Sequence, residues 1–412
     1  MRIGFIATRL SGIDGVSLEV HKWADVLQRM GHEVFYCAGE LGGYAAEGTL
    51  IPQLHFTNAE VAELSRRAFT RGENAWQVAD DIYAMADQMR PPLRRFIREN
   101  RLDIIIPQNA LTIPMNIPLG VALTGLIAEL GIPTVSHHHD FYWERTRYQV
   151  SNIFQILDTD FPPDLPNVRH VTINSIAQMR LKERRGIDSV VIPNVLDFAT
   201  SPPGRDEYNQ DFRTAIGLSP EDRLILQPTR VVPRKGIELA IELLHRLQNP
   251  NARLVITHPA GDEGFEYLEW LKLEAARLKV DMRLVADRVG PERRQVDGQK
   301  IYALWDTYPW AELVTYPSQY EGFGNALLEA VYFKLPIVVN RYPVYEADIR
   351  PLGFRFVEIS GFISDEAVEQ ARELLNDQDL RNEIAEHNYA LASRHFSYEV
   401  LKAHLKELIE SF

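Results

Sequence analysis

The chain has 412 residues, 45% hydrophobic and 25% charged, with 24 glycines and 24 prolines, a profile that excludes collagen-like, disordered and low-complexity classes. Its length suits two domains of roughly 150–200 residues each. The formal charge of −13 argues against a surface that coats nucleic acid and against stable membrane insertion through a polybasic patch, while leaving room for one basic cluster in a cleft.

The opening Met1–Leu10 has too short an apolar run for a secretory signal and carries Arg9 where a cleavage region would begin. Ile3–Ala7 reads as a buried strand and 11–17 as a glycine-bearing loop. Val16, Val20, Trp23, Leu27 and Met30 then recur at helical spacing until Gly31 stops them. The next strand is 32–36; the single cysteine after it, Cys37, rules out an internal disulfide and fits a cytoplasmic protein. A helix is expected over 75–89 and strands over 103–107, 132–137, 169–174 and 189–193. The most apolar window, 113–130, contains prolines and Glu129 and predicts a buried helix rather than a membrane span. Strands alternating with helices imply parallel βαβ units and a doubly wound open sheet.

Residues 194–212, rich in Pro, Asp and Gly, read as a linker, after which the pattern restarts. Strands are expected over 223–227, 253–258, 282–289, 312–317 and 335–340, with helices over 237–247, 267–278 and 300–308. The predicted organisation is a first Rossmann-like domain over 1–195, a second over 196–395, and a helix over 396–412 that returns to the first.

In open α/β sheets ligands bind where strands lead into helices. Arg230, Lys235 and Gly236 follow one such strand, where cations beside free helix-start amides make an anion site; a solvated basic turn is the alternative. After strand 312–317 comes 321-EGFGNALLE-329. Gly322 and Gly324 let backbone amides point into one concavity, and the helix starting near Asn325 adds its positive end. Glu321 lies at that loop, and Glu329 sits among Leu327, Leu328, Ala330 and Val331. A carboxylate so close to burial is rare unless paired, and carboxylates accept bidentately from vicinal hydroxyls. An exposed Glu329 on an amphipathic helix is the bland alternative.

The Glu-x7-Glu spacing, with Arg230, Arg234-Lys235-Gly236 upstream, resembles the signature of the retaining GT-B glycosyltransferases (glycosyltransferase family 4-like, glycosyl transferases group 1). The resemblance spans most of the chain and implies two Rossmann-like domains facing a central cleft. It implies that Glu329 binds the nucleotide ribose and that Arg230 and Lys235 bind the diphosphate. Glu321 with the backbone of Gly322, Phe323, Gly324, Asn325 and Ala326 would bind the transferred sugar, and Gly15 would face phosphate or acceptor. The family also has a histidine at the reacting sugar; within 136-SHHHDFYWERTRY-148 the alignment favours His139 and leaves His138 open. Phe333-Lys334, Pro193-Asn194-Val195 and 340–348 depart from the family's usual small or glycine residues, so the sugar pocket is expected to differ in shape.

The implied reaction is metal-independent retaining transfer of a hexose, mannose or glucose, from a nucleoside-diphosphate sugar to a small soluble acceptor, with no further cofactor. Arg9, Asp14, Tyr142, Arg145 and Arg147 are the candidate acceptor residues, and the arginines suggest an anionic acceptor such as a sugar acid or phosphorylated metabolite. Homo-oligomerisation is left open. Three rivals remain: a metal-dependent transferase using Asp158-Thr159-Asp160, a two-lobed sugar-binding protein, and a nucleotide-sugar epimerase or hydrolase. A metal site on the histidine run is disfavoured, because adjacent strand residues face opposite ways.

Overall fold

The computed structural model describes residues 1–12, 14–261 and 264–412, so residue 13 of the expected glycine-bearing loop lies outside the described residues. The chain divides into two compact units, Met1–Val195 with Tyr398–Phe412, and Leu196–Ser397.

Unit 1 contains strands β1 (Arg2–Ala7), β2 (Glu33–Ala38), β3 (Thr49–Leu50), β4 (Ile104–Pro107), β5 (Thr134–His138), β6 (Val168–Thr172) and β7 (Ser189–Val191). Its helices are α1 (Gly15–Arg29), α2 (Ala59–Ala68), α3 (Ala75–Glu99), α4 (Ile117–Leu130), α5 (Phe154–Asp160) and α6 (Ser175–Arg185). The strands form one parallel sheet in the order β3-β2-β1-β4-β5-β6-β7. Strand order therefore reverses between β1 and β4, whose register pairs Ile3 with Ile104 and Phe5 with Ile106. Helices cover both faces, which is why β4 and β5 are buried along their whole length, β4 as a continuous apolar run.

Two helices in this unit differ from expectation. α3 continues ten residues past Met89, through Pro91 and Pro92, to Glu99. A proline inside a helix costs about 3 kcal/mol, but here Met89, Leu93, Phe96 and Ile97 extend a stripe buried in the same core as α4, and that burial outweighs it. α4 starts at Ile117, capped by the Asn116 side chain on the Leu119 amide. At 14 residues it is buried within unit 1, and no described helix is long and apolar enough to cross a membrane.

Unit 2 contains β8 (Arg223–Gln227), β9 (Ala252–Ile256), β10 (Asp281–Leu284), β11 (Val289–Gly290), β12 (Arg294–Val296), β13 (Gln299–Ala303), β14 (Leu313–Tyr316), β15 (Ile337–Asn340) and β16 (Val357–Ile359). Its helices are α7 (Phe212–Ala215), α8 (Ile237–Leu247), α9 (Glu266–Leu278), α10 (Asn325–Tyr332), α11 (Asp365–Asn376) and α12 (Gln378–His395). The main sheet is parallel, ordered β10-β9-β8-β14-β15-β16, and reverses between β8 and β14. The last helix, α13 (Tyr398–Glu410), belongs to unit 1: Leu401, Leu405 and Leu408 join Val20, Trp23 and Leu27 of α1, and Arg29 lies 5.1 Å over the Tyr398 ring.

The expected helix over 300–308 is instead β13 followed by two short 3-10 turns, and the expected strand 282–289 stops at Leu284. β13 sits between β11 and β12 in a separate three-stranded sheet. Tyr302, fully buried, packs edge-on to Phe212 with centroids 5.1 Å apart, and its hydroxyl donates to Asp211 at 2.8 Å. The 3-10 turns present Trp305 and Tyr308 to the remainder of the unit. Both sheets have the doubly wound α/β class expected for the two domains.

Candidate active site

The strand-order reversal in unit 2 brings two loops together: 228–236 after β8 and 317–324 after β14. Gly236 shows how tightly they meet. Its φ is +59°, and a Cβ there would lie 2.5 Å from the Pro317 carbonyl oxygen. The Gln319 amide donates to the Arg234 carbonyl at 2.8 Å, tying one loop to the other. Gly324 is equally constrained, with φ +130° and the Tyr342 hydroxyl 2.5 Å from a would-be Cβ; that hydroxyl donates to the Phe323 carbonyl at 2.6 Å. α10 follows, with no side-chain cap on its first amides.

Glu321 and Lys235, 86 residues apart in sequence, meet directly: Lys235 Nζ donates to Glu321 Oε1. Their residues are 9% and 7% exposed. Arg234 Nη1 lies 3.5 Å from the other Glu321 oxygen and donates to the Tyr320 carbonyl at 3.1 Å. Burial pushes the Lys235 ammonium below its usual value, against the pull of Glu321. Burial would raise the Glu321 carboxyl, but Lys235 and Arg234 outweigh it and leave it below the usual carboxylate value. Arg230 is exposed and close enough to Lys235 to add to the positive field. The result is a strand-end cluster in which Lys235 and Arg234 pair with one buried carboxylate and Arg230 stands near Lys235.

Glu329 is 9% exposed on α10 and engaged from the 3-10 turns. Trp305 Nε1 donates to Oε1 at 3.2 Å, and the fully buried Tyr308 hydroxyl donates to Oε2 at 2.7 Å. These two donors fix the carboxylate's orientation on α10. The exposed-helix alternative for Glu329 is thus excluded. Phe323 and Gly324 are buried, while Gly322, Asn325 and Ala326 are half-buried. Trp305 and Tyr308 escaped the sequence reading; no local motif marks them, since they act across 21 and 24 residues from inside what looked like a helix.

In unit 1 the reversal between β1 and β4 gathers residues 8–12 and 14, 108–116 and the end of β5. The histidine run alternates as a strand must. His138 points into the core, fully buried, with Nδ1 2.8 Å from Thr112 Oγ1 and Nε2 2.9 Å from His170 Nδ1. The expectation that left His138 open is corrected: both its nitrogens are occupied within the core. His137 and His139 share the other side, with centroids 4.3 Å apart, and His137 stacks on Trp23 at 4.2 Å. His139 is only half-buried; burial pushes it down to about 4, with Asp140 and Asp14 pulling the other way.

Of the acceptor candidates, Arg9, Asp14 and Arg145 cluster around His139. Arg9 Nη2 donates to Asp14 at 3.2 Å, and Arg145 Nε donates to Asp140 at 2.6 Å. Arg145 is therefore held by Asp140 rather than standing ready as a clamp, a correction the i, i+5 spacing concealed. Arg147 is exposed and lies on Tyr148, 4.6 Å from the centroid, and Tyr142 packs against the unit 1 core; neither joins the cluster. Gly15 opens α1, but Asp14 Oδ1 accepts from the Val16 and Ser17 amides at 3.1 and 3.2 Å. That helix start therefore presents the chain's own carboxylate, which suits a hydroxyl and repels a phosphate. The Asp158/Asp160 pair of the metal-dependent rival diverges: Asp158 is exposed, whereas Asp160 is buried and pushed up to about 6 by that burial.

Two family models match: Glycosyltransferase Family 4 over residues 13–200 and Glycosyl transferases group 1 over residues 209–391. The mannosylglucosylglycerate synthase of Thermotoga maritima is 35% identical over 436 aligned positions, covering 98% of each chain. The protein of the same name from Petrotoga mobilis is 35% identical over 87% of this chain and 86% of its own. Among solved structures, a Rickettsia africae glycosyltransferase superposes with a TM-score of 0.68 at 15% identity, covering 99% of this chain and 98% of that one. Anabaena HepE in complex with UDP-glucose gives 0.66 at 16% identity over the whole of both chains. These likenesses establish the GT-B fold. The chain belongs to the glycosyltransferases assembled from a Glycosyltransferase Family 4 half and a Glycosyl transferases group 1 half.

Proposed function

We propose that this glycosyltransferase moves a mannosyl group from a nucleoside-diphosphate mannose to glucosylglycerate or a closely related sugar acid, retaining the anomeric configuration and using no metal ion. The observation that carries the reading is 35% identity over 98% of both chains to a protein whose name describes mannosylated glucosylglycerate.

Unit 2 holds the donor in this reading. Arg230, Arg234 and Lys235 neutralise the diphosphate, the 322–326 backbone and Glu321 take the sugar, and Glu329 takes the ribose. As the C1–O bond to the diphosphate breaks, negative charge grows on the leaving oxygen, where fixed cations and amide dipoles stabilise it most. The acceptor hydroxyl then bonds to C1 on the face the diphosphate leaves, and its proton passes to a leaving phosphate oxygen. The cations perform the charge neutralisation a divalent metal would otherwise supply. His139, neutral near pH 7, serves in this reading as a hydrogen-bonding group toward a sugar hydroxyl rather than as a base. One free, buried thiol, Cys37, accords with a reducing compartment.

The test incubates the full chain with GDP-mannose, UDP-glucose and other nucleotide sugars, each with glucosylglycerate or its phosphorylated counterpart, in the presence of a chelator. Mannosylglucosylglycerate with an α linkage by NMR is the expected product. Epimerised donor, free hexose alone, or binding without nucleotide release would instead assign an epimerase, a hydrolase or a sugar-binding protein.

A further inference from the structure

Resting on the reading that His139 serves as a hydrogen-bonding group toward a sugar hydroxyl, we propose that Gln108 is the positioning residue for His139, holding its ring with the proton on Nε2 so that Nδ1 is left as the acceptor for that hydroxyl. Gln108 is 2% exposed and directly follows β4, at the strand-order reversal. Its Oε1 accepts from His139 Nε2 at 3.0 Å, and an amide oxygen accepts only, so this contact selects the tautomer. Its own backbone is pinned, the Gln108 amide donating to the Ile6 carbonyl at 2.8 Å, so the side chain projects from a fixed point.

The neighbouring residue completes the clamp. Asn109 adopts φ +54°, a left-handed conformation uncommon outside glycine and tolerated by Asn. Its amide donates to the His137 carbonyl at 3.0 Å and its Oδ1 accepts from the His139 amide at 2.8 Å. Its Nδ2 donates to Asp140 at 3.0 Å, and Arg145 holds that carboxylate from the other side. Backbone and ring of His139 are thus fixed separately, by Asn109 and by Gln108. Strained residues persist where the surroundings over-determine them, and such places cluster at functional sites. The charged groups facing His139 are Asp140 and Asp14, which favour its protonation, and Lys22 of α1, paired with Glu19, which disfavours it. His137 adds a second neutral ring on the same side.

The experiment compares wild type, Gln108→Leu, Gln108→Glu and His139→Ala as full chains. In ¹⁵N-histidine NMR of wild type, His139 should be the neutral Nε2–H tautomer at pH 7. Gln108→Leu should lower kcat by up to about 10²-fold, the scale of a misplaced group, with donor KM within about twofold. Gln108→Glu sets a carboxylate against Nε2, favouring imidazolium; its kcat should fall on the acid side with an apparent pKa between about 5 and 8 and recover at higher pH, a limb wild type lacks. A purely structural glutamine would change stability without creating that limb. An Nδ1–H tautomer in wild type overturns the proposal, and so does a Gln108→Glu profile that parallels wild type. Wild-type kcat in Gln108→Leu alongside an inactive His139→Ala overturns it while sparing the reading of His139. Wild-type activity in His139→Ala removes that reading and the proposal with it. Should Gln108→Leu fail to fold, the tautomer and the Gln108→Glu profile decide.

Discussion

Replacing Lys235 with Met separates what the buried pair does for stability from what it does for activity. Breaking a buried ion pair from one side costs about 3–5 kcal/mol, because the remaining charge is stranded. Here the lower figure applies, since Arg234, with its side chain 34% exposed, stays 3.5 Å from Glu321 and screens it in part. A loss of about 3 kcal/mol corresponds to a fall in melting temperature of roughly 6–12 °C for a unit the size of Leu196–Ser397. Differential scanning calorimetry suits the measurement, because two units can melt as separate transitions and only that of unit 2 should move. Adding Glu321→Gln removes the stranded charge, so the double variant should return to within about 1 kcal/mol of wild type, a coupling read from the double-mutant cycle. Turnover behaves differently: each single variant and the double should sit about 10²–10³-fold below wild type, the range for losing a preorganised donor. A Lys235→Met chain that melts within a degree of wild type, or a double variant no more stable than the single, would contradict the pairing as the source of the effect.

Glu321 also sets an acid dependence. Its carboxyl lies below the usual 4.5 in the folded chain, so on acidification the unfolded chain takes up that proton first. The stabilisation is complete above about pH 4.5 and fades as pH falls through the lowered folded value. Glu321→Gln should therefore flatten the stability curve below about pH 4.5, measured by denaturant titration, and an unchanged slope there would contradict the assignment. Tyr308→Phe leaves no cavity but deletes a hydrogen bond to a buried carboxylate, worth about 1.5–3 kcal/mol. Nucleoside-diphosphate Kd should rise about tenfold, and an unaltered Kd by calorimetry would remove Tyr308 from the ribose site. Gly236→Ala forces a Cβ to within 2.5 Å of the Pro317 carbonyl in a left-handed conformation. It should cost at least 1–2 kcal/mol, about the left-handed penalty alone, and lower turnover; a neutral result in both would mean the two loops have more slack than their geometry indicates.

Most of the doubly wound architecture was legible because its strands are short apolar runs separated by helical periodicity and punctuated by Gly, Pro and Asn. It became illegible where two periodicities overlap. Ile301, Tyr302, Leu304, Trp305 and Tyr308 fit a helix as well as a strand, and only the packing of Tyr302 on Phe212 and its bond to Asp211 decide for β13. Pro91 and Pro92 argued for a stop that the buried stripe of α3 overrode. The candidate site was legible at the level of loops, since strand-end positions can be found from sequence. Partnerships across long separations could not be read: Lys235 with Glu321, or Trp305 and Tyr308 with Glu329. Gln108 and Asn109 did carry a signal, two amides directly after a strand and ahead of an apolar helix, where the same strand-end rule would have pointed.

The most direct check on the donor site is calorimetric titration of GDP and UDP, in chelator, into wild type, Lys235→Ala and Glu329→Ala. Wild type should bind at least one nucleotide without added metal, and both variants, still folded, should bind it at least about tenfold more weakly, a loss of about 1.4 kcal/mol each. Equal affinity in all three chains would mean that the loops after β8 and β14, and the carboxylate on α10, do not hold the donor.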